Sequence, residues 1–223
     1  MPNQASVLLS GQTYLVYLRH NDCGKGFFDA ACKKYYKLKL LNSLRTYQVK
    51  LHSFCILDNE VYLLGTPMSP TGFAALINYV NRSYTEYFNQ RYERKLSGWC
   101  QYIRSSFIQG NQLVLDCQKY VERSPLQENC LSNPGMYEFS SHCSNCFGGK
   151  SDFLVPHIAF TNLLTNTPNP YRYYREFVAS PFPHAYQLYL EKNLKHGKPI
   201  AKREKPLAIP IALKRRYASG PPG

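Results

Sequence analysis

Cys143-Ser144-Asn145-Cys146 is the one closely spaced pair among the chain's eight cysteines, and C-x-x-C is the spacing at which two thiolates reach one zinc ion. A structural zinc site needs four ligands, usually two such pairs, and here Cys130 and His142 are the nearest candidates to complete the set. The set is incomplete, so no bound metal or other cofactor is expected. His52, His142, His157, His184 and His196 show no paired spacing and read as core or surface histidines rather than ligands. Gly24-Lys25-Gly26 joins a cation to two glycines but lacks the G-x-x-x-x-G-K-[ST] spacing that cradles phosphates. The remaining chemistry is electrostatic. Lys and Arg number 27 against 14 Asp and Glu, a formal net charge of +13, accompanied by 19 Tyr and 12 Phe. A basic surface rich in tyrosine neutralises phosphates and stacks on unpaired bases, which points to nucleic acid.

The elements that must carry this surface are legible from periodicity. Residues 13–19, 51–57, 61–66 and 102–108 are dense in β-branched, aromatic and apolar side chains and read as strands, the middle two joined through Asp58-Asn59 as a hairpin. Asp29 opens a helix in which Lys33, Lys34, Lys37 and Lys39 interleave with Tyr35, Tyr36, Leu38, Leu40 and Leu41. A second helix starts at Pro70 and buries Phe73, Leu76, Ile77, Val80, Tyr84 and Phe88, three or four residues apart. A third runs through Leu113, Leu115, Cys117, Tyr120 and Val121 and is expected to stop at Ser124-Pro125. The order β-α-β-β-α-β-α describes an α+β fold: a ferredoxin-like, split βαβ antiparallel sheet with an added helix. We divide the chain into a core at 1–125, a loop-rich and helical extension at 126–191 and a basic, partly disordered tail at 192–223. The N-terminal residues lack a basic, then apolar, signal pattern, and no apolar run approaches the ~18 residues of a membrane span. Reduced cysteines, a cytoplasmic location and no membrane partner are therefore expected.

Several segments, in order along most of the chain, resemble the REP-associated tyrosine transposases, single-tyrosine members of the His-hydrophobic-His superfamily. Arg82-Ser83-Tyr84-Thr85-Glu86-Tyr87-Phe88-Asn89-Gln90-Arg91-Tyr92 is similar to that family's RRYxRYFNxRY helix, and Gly98-Trp99 follows where the family has GxLWxGRFK. Cys117 to Leu126 is similar to CxRYIELNPV, and Tyr137-Glu138-Phe139-Ser140-Ser141 to YxWSS. The resemblance implies that Tyr120 occupies the position of the nucleophile that attacks a DNA phosphate. It also implies a divalent metal held by two histidines on a strand, which stabilises the developing charge, since a phenol with a pKa near 10 is otherwise a poor nucleophile. Where the family reads N-H-V-H-L-L, this chain reads Asn59-Glu60-Val61-Tyr62-Leu63-Leu64, so Glu60 and Tyr62 replace both histidines. Ser124 stands for the family's Asn, Tyr102 for the Arg of GRF and Gln127 for the Arg of NPVRA. Glu60 is a hard oxygen donor for Mg²⁺ or Mn²⁺, whereas Tyr62 is a poor ligand at neutral pH.

These substitutions predict a transposase-like protein that binds hairpin or single-stranded DNA, such as palindromic repeats, without cutting it, and serves as a regulator or accessory factor. The expected DNA contacts are Arg19, Arg82, Arg91, Arg104, Lys119 and Arg123, with Lys202, Arg203, Lys214, Arg215 and Arg216 of the tail. A monomer is favoured. Two other readings compete: an active nickase using Tyr120 with a metal site rebuilt on Glu60, and an RNA-binding module using sheet aromatics. The RNP-type aromatic-glycine signature that would favour RNA is absent.

Overall fold

The computed structural model describes residues 8–20, 26–93, 96, 99, 102–127 and 137–201. Strand β1 (Tyr14–Arg19) lies at the centre of the sheet, where five of its six residues are buried. Helix α1 (Ala30–Ser43) begins where Asp29, in extended backbone, accepts a hydrogen bond from the Cys32 amide at 2.8 Å and so caps one of the helix's unpaired N–H groups. Strands β2 (Val49–Ile56) and β3 (Glu60–Pro67) form the expected hairpin, closed by the Leu57 amide donating to the Glu60 carbonyl at 2.8 Å. Helix α2 (Gly72–Tyr92) buries the six residues that its period singles out, and β4 (Tyr102–Phe107) completes the sheet.

The strand order is β2-β3-β1-β4 with every neighbour antiparallel, which is the split βαβ arrangement. Helices α1 and α2 cover one face. There the bare Cα of Gly65 admits the Phe73 ring, and an added Cβ would stand 2.9 Å from that ring and 2.8 Å from the Lys50 carbonyl. The opposite face receives α3 (Asn111–Gln127). This helix continues through Pro125 rather than stopping at it. Near a helix's C-terminal end a proline removes a single backbone bond, so the final turn persists.

Residues 137–201 hold more structure than their prolines suggest: α4 (His142–Phe147), α5 (Ile158–Asn166), α6 (Pro170–Ala179) and α7 (His184–His196). Pro170 sits in the first turn of α6 and Pro183 just ahead of α7, positions where a missing N–H costs nothing. Within the stretch expected as tail from Lys192, α7 runs on to His196. Leu194 and Ile200 are fully buried, and Ile200 pairs with Ile108 beside β4, its amide donating to the Phe107 carbonyl at 2.8 Å. The other sheet edge is closed the same way. Val155 N donates to the Leu51 carbonyl, and Phe139 and Ser141 bond the backbone of Ile56 and Phe54. Among the described residues no helix is long and apolar enough to cross a membrane.

Candidate functional site

Strand register brings two rows of side chains across the face that carries α3. Arg19 lies between Glu60 and Tyr102, and, two residues along, Tyr17 lies between Tyr62 and Arg104. Directly opposed residues project to one face, so all six side chains share it. The Glu60 carboxylate is boxed in. The Tyr17 hydroxyl donates to Oε1, the Tyr62 hydroxyl donates to Oε2 at 2.5 Å, and Arg19 Nε stands 4.0 Å from Oε1. Burial pushes both phenols well above their ordinary pKa, with the neighbouring Glu60 adding to the effect, so they remain protonated donors. Arg19 reaches out of this box, its side chain 55% exposed against 14% for Glu60.

Tyr120 projects from α3 against this cluster, its ring edge-on to Tyr62 at 5.8 Å between centroids. It is buried, with 3% of its surface exposed. Ser124, one turn later, is also buried and donates its hydroxyl to the Tyr120 carbonyl at 3.0 Å. The structure thus brings Glu60, Tyr62 and Tyr120 together as the sequence predicts and adds Tyr17, which the motifs did not single out. The strand alternation that pairs Tyr17 with Tyr62 was the available signal. Both oxygens of Glu60 accept hydrogen bonds from phenols, so a metal ion there would share the carboxylate with them. Among the described residues, the one set of three metal-type ligands within reach of a single ion lies elsewhere, at Glu122, His142 and Cys146.

The basic residues separate into distinct environments. Lys119 and Arg123, expected to contact DNA, are turned into the protein by the extension. Lys119 is buried, donates to Ser180 Oγ at 2.8 Å and lies 4.6 Å and 4.5 Å from the centroids of Phe177 and Phe182. Burial first, and the Arg123 charge second, pull its pKa down to about 8. Arg123 donates to the carbonyls of Val178 and Ala179. Arg104 lies flat on Tyr102 at 4.1 Å, and α7 closes over this pair: the Tyr102 hydroxyl donates to the Lys195 carbonyl and Ser106 Oγ to that of Asn193.

Arg82 and Arg91 stand exposed on α2, on the other side of the sheet. Arg82 pairs with Glu86 at 2.9 Å, and Arg91 donates to the Tyr92 hydroxyl at 3.2 Å. Beside Arg91, Tyr35 and Tyr87 stack with centroids 4.0 Å apart and planes within 8°, Lys39 over one ring and Arg91 over the other. This cation–aromatic stack joins α1 to α2 and escaped the sequence reading because its halves come from separate helices. Lys202, Arg203, Lys214, Arg215 and Arg216 lie outside the described residues.

The fold is a ferredoxin-like sheet carrying a tyrosine-bearing helix over the strand that holds Glu60 and Tyr62. No protein-family model matches the chain, and no curated protein is significantly similar in sequence. Among solved structures it is similar to a REP-associated tyrosine transposase bound to a REP hairpin, with a TM-score of 0.55 at 10% identity, over 71% of this chain and 93% of the other. The shared property is the fold.

Proposed function

We propose that this chain is a transposase-like DNA-binding protein that holds hairpin or single-stranded DNA and does not cleave it. The observation that carries the reading is the packing around Glu60, which stands where the resemblance implies a metal-binding histidine: it is held by Tyr17, Tyr62 and Arg19, and Tyr120 is packed against Tyr62. Cleavage by a tyrosine draws on a cation to stabilise the developing charge, and a lone carboxylate is a poor host for one. The formal charge of +13 supports a polyanion partner, and the likeness in fold to a hairpin-bound transposase supports DNA as that partner. On the described surface, the Arg91, Lys39, Tyr35 and Tyr87 stack combines cations with stacked rings, the combination suited to backbone and unpaired bases.

The test is a hairpin oligonucleotide incubated with the full chain and Mg²⁺ or Mn²⁺, then run on a denaturing gel. We expect a DNA complex in native gels and no denaturation-resistant adduct. Tyr120→Phe should leave DNA affinity within about 1 kcal/mol, the worth of one hydroxyl's hydrogen bond. The pair Glu60→His with Tyr62→His places two imidazoles on one strand face at the spacing that serves a single ion, and asks whether the remaining machinery still cuts. A metal-dependent adduct formed by the unaltered chain and abolished by Tyr120→Phe would sink the non-cleaving reading. Tighter binding to matched RNA than to DNA would sink the choice of partner.

A further inference from the structure

Two residues beyond Tyr120 on α3, Glu122 is entirely buried, and facing it from α4 are His142 and Cys146. The two lie four apart on a six-residue helix, so they project from one side of it, one turn apart. Cys146 Sγ is 3.7 Å from Glu122 Oε2 and 3.7 Å from His142 Nδ1, and the three ligand atoms all lie within 4.8 Å of one another. Zinc binds thiolate at about 2.3 Å and nitrogen or oxygen at about 2.0–2.1 Å, which in a tetrahedron sets ligand atoms roughly 3.3–3.7 Å apart. We propose that Glu122, His142 and Cys146 form a binding site for a zinc-like divalent cation that ties α4 to α3.

Three features of the surroundings fit a built site. The carboxylate is already oriented: Glu122 Oε1 accepts from Asn145 Nδ2 at 2.7 Å and from Ser141 Oγ at 3.4 Å, and Oε2, the oxygen nearest Cys146, accepts from the Tyr174 hydroxyl at 3.1 Å and keeps a further lone pair for an ion. Outer contacts of this kind aim a ligating carboxylate in known metal centres. The charges balance, because one carboxylate, one thiolate and one neutral imidazole neutralise a divalent ion, whereas a buried carboxylate without a cation is costly. The Cys146 proton leaves to solvent as the Zn–S bond forms. The fourth position is then completed by a non-protein ligand such as water, the usual arrangement for a three-ligand site. Finally, the Arg175 guanidinium donates to the Cys146 carbonyl at 2.9 Å, fixing the end of α4 against α6. This set differs from the cysteine pair that the C-x-x-C spacing suggests: Cys143 is exposed, and the partner of Cys146 is the histidine a full turn back.

Zinc(II) alone, added to the full chain in reducing buffer and dialysed, is the probe. We expect stoichiometric retention, and X-ray absorption on the unaltered protein should show one sulfur near 2.3 Å with nitrogen and oxygen at about 2.0–2.1 Å. Cys146→Ser and His142→Ala should each weaken zinc binding by roughly tenfold or more, and Asn145→Ala by about 10- to 100-fold through loss of carboxylate orientation. Absence of retained zinc, a shell with no sulfur, or a shell with two or more sulfurs would overturn the assignment, as would retention undiminished by Cys146→Ser. The absorption spectrum uses the native sequence, so it decides the matter even where a variant fails to fold. The outcome is independent of whether DNA is bound or cut.

Discussion

Glu60 is a carboxylate in a position that the family resemblance reserves for a metal-binding imidazole, and its neighbours have adapted to it. Tyr17 and Tyr62 each supply a phenolic donor. Hydrogen bonds to a charged acceptor contribute about 1.5–3 kcal/mol, so Tyr17→Phe and Tyr62→Phe should each lower unfolding free energy by that order in denaturant titrations. In a Glu60→Gln background the same changes should cost distinctly less, since the acceptor no longer carries charge; equal losses in both backgrounds would refute the coupling. Lys119 gives a pH prediction. Its folded pKa is about 8 against an ordinary 10.5, so between those values the unfolded chain binds more protons than the native one. Stability attributable to this residue therefore rises as pH increases from about 8 towards 10.5, and the penalty for burying the charge is fully present below 8. Compared with Lys119→Met, the wild-type chain should gain relative stability on going from pH 8 to pH 10; parallel stability curves would rule the assignment out.

At the scale of elements, the C-terminal boundary is the informative result. A chain ending at residue 191 loses the last turn of α7 with Leu194, and also Ile200 beside β4. Two fully buried aliphatic side chains are together worth roughly 3–6 kcal/mol, a large share of a domain's net stability. A chain ending at residue 201 keeps both. Thermal melts should show the 1–191 form strongly destabilised or unfolded and the 1–201 form close to full length, while loss of 202–223 removes basic residues and weakens DNA binding. Equal melting of the two truncations would contradict the packing of α7. The contrast also shows what the sequence made legible. Strands β1 to β4 and helices α1 and α2 follow from regular apolar spacing, and the stripe from Phe73 to Phe88 appears in α2 residue for residue. The bounds of helices α4 to α7 within the loop-rich and helical extension are not legible, because these helices are short, begin near prolines and owe their stability to packing rather than to periodicity. The placements of Lys119 and Arg123 were illegible for a related reason. Each is a cation within the segment that resembles the family's CxRYIELNPV helix, and only the return of residues 177–182 over α3 shows that it is engaged within the protein.

For the whole molecule, binding should be strongly salt-dependent, with log affinity for single-stranded DNA falling against log salt by about 0.7 for each phosphate neutralised. Arg82→Glu combined with Arg91→Glu should weaken binding and flatten that slope, whereas Lys119→Met should leave the slope unchanged because the ammonium faces inward. An unaltered slope in the α2 variant, measured by fluorescence anisotropy across a salt series, would move the DNA surface elsewhere. The closure of both sheet edges by residues 137–201 has a consequence for biosynthesis. The ribosome releases β2 and β4 well before Leu154 and Ile200 emerge to cover them. At 5–20 residues per second, the interval between β4 and Ile200 lasts roughly 5–20 s, during which the nascent sheet presents open hydrogen-bonding edges to any neighbouring chain. Slowing translation between the codons for residues 127 and 200 should therefore raise the insoluble fraction in cells, an effect that no property of the finished fold would reveal.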